Sequence, residues 1–228
     1  MKLINITKKY KNNIVLDNIS IEFKEKSIYG LLGLNGAGKS TLLKIITNII
    51  SPDDGKIIFE ENEKKIGFMI EEPSFFNDIS GYNNLKLLLN LFDDIPETKI
   101  HDVLIMVGLY KKKDELYKNY SLGMKQRLYF AYALINNPDI LILDEPFNGI
   151  DPLTLNLFKD IIKKFKEMGG IVIISSHVIS EIQDICTDCI ILDNGKIALE
   201  TKVDKDTNLQ ELFVKNVSSN GIVEWKRL

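Results

Sequence analysis

Cysteine is scarce in this chain. Its 228 residues include two, Cys186 and Cys189, too few for a disulfide-stapled scaffold. Their C-x-x-C spacing occurs in zinc and redox sites, but a zinc site needs two further ligands, and of the two histidines His101 falls in a helical stretch and His177 closes a buried strand. The pair reads as small buried hydrophobes at a helix end. Long apolar runs are also missing. None approaches the roughly 18 residues of a membrane span, and Met1–Asn5 lacks the apolar core of a signal peptide, so a soluble, cytosolic chain is expected. An excess of basic charge is absent too. Lys and Arg total 29 against 32 Asp and Glu, a net charge of −3, with no basic block to track nucleic acid. The densest cluster, Lys111–Lys113, reads as a solvated helix start. No internal repeat, low-complexity stretch or flexible linker is visible. The length suits one α/β domain, or a domain with an inserted subdomain, and buries a sizeable core.

Against these absences stands one dense stretch, Gly33 to Thr41, reading G-L-N-G-A-G-K-S-T. It has the form of a P-loop. Glycines at 33, 36 and 38 let successive backbone N–H groups curl around phosphate oxygens, with Asn35 and Ala37 between them. Lys39 can reach the β/γ-phosphates, the Ser40 hydroxyl can ligate Mg²⁺, and Thr41 opens a helix whose positive end faces the anion. The apolar, β-prone Ser27–Leu32 enters the loop and Thr41–Ile50 is expected as the helix leaving it. A P-loop by itself leaves kinase, GTPase, motor and transporter ATPase open.

Around it, Leu3–Thr7 and Ile19–Phe23 alternate apolar with polar as half-buried strands, separated by a turn at Tyr10–Asn13. They predict a small antiparallel sheet ahead of the P-loop strand. Tyr10 falls where an aromatic ring can stack on a nucleobase. Ser51–Gly55 is a turn, and strands are expected at Lys56–Glu60 and Lys65–Ile70. From Gly81 to Asn137 the chain reads almost wholly helical, a block resembling a subdomain inserted between β-rich segments. Ile140–Leu143 then reads as a buried parallel strand, Leu153–Met168 as an amphipathic helix, and Ile171–Ser176 as a second buried strand. The tail predicts a helix to about Ile185, a hairpin through Asp193–Lys196, and a short helix near Leu209–Val214.

Both buried strands end on chemistry. Asp144 and Glu145 close the first, at the edge where an open α/β sheet binds ligand, and His177 closes the second. Asp144 suits Mg²⁺ binding, Glu145 the orientation of a water for in-line attack on the γ-phosphate, and His177 contact with that phosphate. Tyr120–Leu128 reads Y-S-L-G-M-K-Q-R-L, and Ser121 and Gly123 at a helix start can offer a hydroxyl, amides and a positive helix end to an anion. Lying in the inserted helical block, they suggest a surface that reads a partner's nucleotide.

These ordered motifs resemble the ATP-binding cassette (ABC) ATPases over essentially the whole chain. Gly33–Thr41 matches Walker A, Tyr120–Gln126 the family signature, Leu141–Glu145 Walker B with its catalytic glutamate, Asn148–Asp151 the D-loop, and Ser176–His177 the switch histidine. The resemblance implies an α/β fold with a RecA-like P-loop NTPase core. An N-terminal antiparallel β subdomain belongs to that core (1–70 and 138–228), and residues 71–137 form the helical subdomain. It implies ATP and Mg²⁺ as cofactors and Tyr10 as the adenine-stacking ring. It further implies a head-to-tail homodimer in which Ser121 and Gly123 act on the partner's nucleotide, with Asp151 of the D-loop as a further nucleotide-binding residue. Where the family carries a glutamine touching Mg²⁺ and the attacking water, this chain has Glu71. The I-E-x-P stretch there, with the signature's form, resembles bacitracin and lantibiotic export or immunity cassettes. A chain without spans then requires a separate polytopic membrane subunit, holding it at the inner face of the cell membrane. The alternative is a non-transport cassette in envelope signalling or another mechanical role.

Overall fold

The computed structural model describes residues 1–59, 64–70, 75–92 and 95–217. In chain order the elements are β1 (Lys2–Tyr10), β2 (Asn13–Glu22), β3 (Ser27–Leu32), α1 (Lys39–Ile46), β4 (Asp54–Ile58), β5 (Ile66–Met69), α2 (Gly81–Leu89), α3 (Thr98–Met106), α4 (Leu122–Leu134), β6 (Ile140–Asp144), α5 (Pro152–Glu167), β7 (Ile171–Ser176), α6 (Ile179–Ile182), β8 (Asp188–Asp193), β9 (Lys196–Lys202) and α7 (Leu209–Asn216). The chain divides into two compact units. One comprises Met1–Glu22, Tyr29–Ile58 and Ser175 onward, the other Phe23–Ile28 and Phe59–Ile174.

In the first unit, β1 pairs antiparallel with β2 through a two-residue turn closed by Tyr10 and Asn13, and Lys11 takes φ 54° as such a tight turn demands. The expected opening sheet is therefore present. Its third strand is β4, antiparallel to β1 on the other side. The alternation seen in the sequence follows from one buried face, with Leu3, Ile6, Leu16, Ile19 and Ile21 all inside. Beside it β3 runs parallel to β8, Tyr29 opposite Asp188 through Leu32 opposite Ile191, and β8 turns back into β9. Asn194 and Gly195, both at positive φ, form that hairpin turn, as Asp193–Lys196 predicts.

In the second unit, β5 lies parallel to β6, Ile66 opposite Ile140 through Met69 opposite Leu143, with β7 on the far side of β6. Among the described residues, the α-helices α2, α3 and α4 separate β5 from β6 in sequence. A Cβ on Gly67 would overlap the Ala133 carbonyl, so α4 seats directly on β5. Phe130 and Phe158, ring centroids 4.3 Å apart, join α4 to α5.

Two expectations need correction. The helical block is interrupted between α3 and α4 by a connection holding two short 3-10 turns, Tyr110–Lys112 and Tyr117–Asn119. Gly108 at φ 69° stops α3 in a Schellman motif, Leu109 N–H bonding to Leu104 O at 2.8 Å. The helix expected to reach Ile185 ends at Ile182. There the Ile185 and Cys186 N–H groups both turn onto Ile182 O, which swings Cys186 against Gly30, whose added Cβ would lie 2.9 Å from Sγ. Neither cysteine is in a disulfide and both are buried, as expected of small hydrophobes, but Cys189 lies within β8 and not at a helix end.

Candidate nucleotide site

In the first unit, β3 is buried along its length and delivers the chain into Gly33. A Cβ on Gly33 would come within 2.6 Å of Leu192 O, so the loop presses on β8 and only glycine fits. Gly38 sits at φ 106°, where an added Cβ would also meet Leu16 and Val15. The β8–β9 turn anchors the loop further, Gly195 N–H bonding to Ala37 O at 3.2 Å while Gly195 O accepts from Asp17 N–H at 2.9 Å.

The Lys39 side chain is 6% exposed and folds back over the loop, Nζ donating to Gly33 O at 2.7 Å and to Leu34 O at 3.4 Å. Asn35, Gly36 and Ser40 are exposed, Ala37 is buried and Thr41 half-buried. At Gly36 an added Cβ would meet nothing within 4 Å, so the crest of the loop faces open space. Helix α1 begins with no side-chain cap and no acidic residue in its first turn, leaving its positive end available to an anion. That donor set suits a nucleotide phosphate. Also in this unit, Tyr10 ends β1 with 48% of its surface exposed, its ring centroid 5.7 Å from Lys8 Nζ, and exposed His177 directly follows β7.

In the second unit, half-buried Asp144 is the last residue of β6. Glu145 follows at φ 50°, a left-handed backbone uncommon for a residue with a Cβ and concentrated at functional sites. Asn148 N–H bonds to Glu145 O at 3.2 Å, and the turn continues through Gly149 at φ 69° to Asp151. Asp151 caps α5, its Oδ1 accepting from the Leu153 and Thr154 amides at 3.0 Å each, with Pro152 opening the helix. These hydrogen bonds, that from the Thr154 hydroxyl first, hold the Asp151 carboxyl below its ordinary value.

Ser121 caps α4, its Oγ accepting from Met124 N–H at 3.3 Å. Behind it buried Tyr120 donates to Lys112 O at 2.8 Å, and burial followed by the Glu115 and Asp114 charges pushes its phenol up to about 12. The structure thus brings the signature and D-loop stretches together within this unit: a Cβ on Gly123 would lie 3.2 Å from Asp151 Oδ2. Glu71 lies outside the described residues. Sequence reasoning assigned no role to Arg127 or Thr154, yet Arg127 Nε donates to Thr154 Oγ1 at 3.1 Å, and Thr154 Oγ1 donates to Asp151 Oδ2 at 2.7 Å. The one local signal was the D-P-L-T order, which places Thr154 in the first turn behind its cap.

For Mg²⁺ the donors are sparse. Among the described residues no group of three or more His, Cys, Asp and Glu side chains could hold a metal ion. Mg²⁺ commonly binds through one or two protein oxygens plus substrate phosphates, and the Ser40 hydroxyl of the first unit and the Asp144 carboxylate of the second are each an oxygen donor of the kind it takes. Among the described residues, too, no helix is long and apolar enough to cross a membrane.

A glycine loop with a folded-back lysine at an uncapped helix end, and a buried strand ending at Asp144 with Glu145 next in the chain, are the features of a P-loop nucleotide-binding cassette. Residues 16–148 match the ABC transporter family model. The lantibiotic transport ATP-binding protein SrtF of Streptococcus pyogenes is 41% identical over 219 residues, 93% of this chain and 95% of that protein. The bacitracin transport ATP-binding protein BcrA of Enterococcus faecalis is 37% identical over 222 residues, 93% and 70% of the two chains. Among solved structures, the dimeric ATP-binding cassette MJ0796 in a post-hydrolysis state with ADP and Pi superposes with a TM-score of 0.77 at 25% identity, over 89% of this chain and 98% of that one. This chain belongs to the ABC transporter family. Within that family it is an ATP-binding, ATP-hydrolysing cassette subunit.

Proposed function

We propose that this cassette drives export of a peptide antibiotic of the lantibiotic or bacitracin kind, or another amphipathic compound, through a separate polytopic membrane subunit that holds it at the inner face of the cell membrane. The observation that carries the cargo class is the 41% identity with SrtF, sustained over 93% of this chain and 95% of that one.

In this reading the amides of Gly33–Thr41 and the Lys39 ammonium hold the β- and γ-phosphates, and exposed Tyr10 packs against adenine. Ser40 and Asp144 hold Mg²⁺ together with those phosphates. Held there, Mg²⁺ would supply positive charge against the negative charge of the transferred phosphoryl group. Glu145 orients the attacking water and accepts its proton, and His177 contacts the γ-phosphate region. Ser121, Gly123 and Asp151 serve the nucleotide of a second copy in a head-to-tail homodimer. Leu122 and Leu153, 55% and 79% exposed beside those motifs, support a surface that a partner covers, as does the dimeric state of MJ0796. Residues 71–137 act as the helical subdomain that transmits closure to the membrane subunit, and 1–70 with 138–228 as the nucleotide-binding core.

The test is purification of the tagged chain from mildly solubilised native membranes, with tolerance to bacitracin and lantibiotics measured in the same cells. Stoichiometric recovery of a polytopic membrane protein, and loss of tolerance in Glu145→Gln cells, are expected. Recovery of ribosomal or envelope-signalling proteins instead, with tolerance unchanged, would overturn the export reading.

A further inference from the structure

Two segments far apart in sequence meet at one buried hydroxyl. Thr154 is fully buried in the first turn of α5, and its Oγ1 both donates to Asp151 Oδ2 at 2.7 Å and accepts from Arg127 Nε at 3.1 Å. Arg127 stands one helical turn beyond Gly123 on α4, the helix that Ser121 caps. Gly123 completes the arrangement, since a Cβ there would lie 3.2 Å from Asp151 Oδ2 and 3.7 Å from Thr154 Oγ1. Asp151 uses its two oxygens differently. Oδ1 is held by backbone amides of its own helix, whereas Oδ2 takes the Thr154 hydroxyl. The cap on α5 therefore survives without that hydroxyl, and the link to α4 does not.

We propose that Thr154 is a positioning residue for ATP hydrolysis, its hydroxyl fixing the Ser121–Gly123 turn in register with Asp151. This rests on the assignment of both segments to the nucleotide-facing surface of the cassette pair. A hydroxyl buried between a guanidinium and a carboxylate has a defined direction for its proton: Arg127 can only donate, so the hydroxyl hydrogen points to Asp151. The two motifs then move as one body, and a second cassette meets both in a single geometry. Misplacement on that surface acts on turnover, where geometry is most demanding, more than on nucleotide capture by the Lys39 loop.

The experiment compares Thr154→Val, which keeps the shape and removes the hydroxyl, with Thr154→Ser, which keeps the hydroxyl, in the full chain. Thr154→Val is expected to lower kcat by about tenfold with KM for ATP changed less than about twofold, and Thr154→Ser to recover most of the loss. Amide hydrogen exchange across 121–127, read without nucleotide, is expected to quicken in the valine variant and return in the serine variant. Wild-type kcat and unchanged exchange in Thr154→Val would overturn the proposal, as would a serine variant as impaired as the valine one. A wild-type chain that hydrolyses no ATP would defeat the enzymatic reading instead, and the exchange measurement would still decide the link between the two segments.

Discussion

The ammonium of Lys39 donates a 2.7 Å hydrogen bond to the carbonyl oxygen of Gly33, the residue that opens the same loop. A side chain only 6% exposed is thus already drawn across the loop, its charge lying where phosphate oxygens would compete for it. Lys39→Ala removes that charge-assisted donor. ATP affinity should fall by about a hundredfold or more, measured by equilibrium titration with a fluorescent ATP analogue. Unchanged affinity would place the phosphates elsewhere.

Glu145 combines a carboxylate with a left-handed backbone, φ 50°. That conformation carries about 1–2 kcal/mol of strain for a residue with a Cβ. Glu145→Gln keeps the backbone demand and the size but removes the proton acceptor, so ATP should bind as in wild type while kcat falls by about 10² or more. Glu145→Gly should be equally inactive but melt no lower than the glutamine variant, because glycine relieves the left-handed strain. Steady-state hydrolysis and thermal unfolding of the two variants check both halves. Full turnover in Glu145→Gln would remove this residue from proton transfer.

The parts of this site legible in the sequence are those whose chemistry is local. The glycines from 33 to 38 are legible because a phosphate cradle needs them at fixed spacing, and Ile140–Leu143 ahead of Asp144 because a doubly buried strand must be continuously apolar. Strand character from Lys56 is legible too, but β4 starts at Asp54, inside the expected turn, and nothing local announces that it joins β1 in the opening sheet, since pairing is decided by distant partners. The bond from Arg127 to Thr154 spans 27 residues and left only the helix cap as a trace. The end of α6 escaped for the same reason: Gly30, in β3, gives Cys186 the space into which the chain turns.

That turn also bears on thiol chemistry. Burial pushes the Cys189 thiol up to about 12, and an uncharged thiol is neither a nucleophile nor a good zinc ligand. In the folded chain, Cys189 should resist iodoacetamide over hours at about pH 8, and both cysteines should react within minutes after urea unfolding. Mass spectrometry of alkylated chains before and after unfolding reads this directly. Rapid native labelling of Cys189, or stoichiometric zinc in the purified protein, would contradict a structural role.

Asp151 supplies the pH-dependent case. Hydrogen bonds from the Thr154 hydroxyl and amide, and from the Leu153 amide, favour the carboxylate and hold its pKa below the ordinary 3.8. A depressed value means that the unfolded chain takes up the proton first on acidification. The stabilisation is therefore complete above the unfolded value and disappears as pH falls through the lower folded one. Asp151→Asn retains a capping oxygen but cannot titrate. Wild type should thus exceed the asparagine variant in urea midpoint at neutral pH, and the gap should close as pH drops through the ordinary 3.8 and below it. The decisive reading is the difference between the two midpoint-against-pH curves, which cancels the other carboxylates. Parallel curves would show that the Asp151 charge contributes nothing to the fold, and would leave the Thr154 hydroxyl bonded to a carboxyl whose ionisation does not matter.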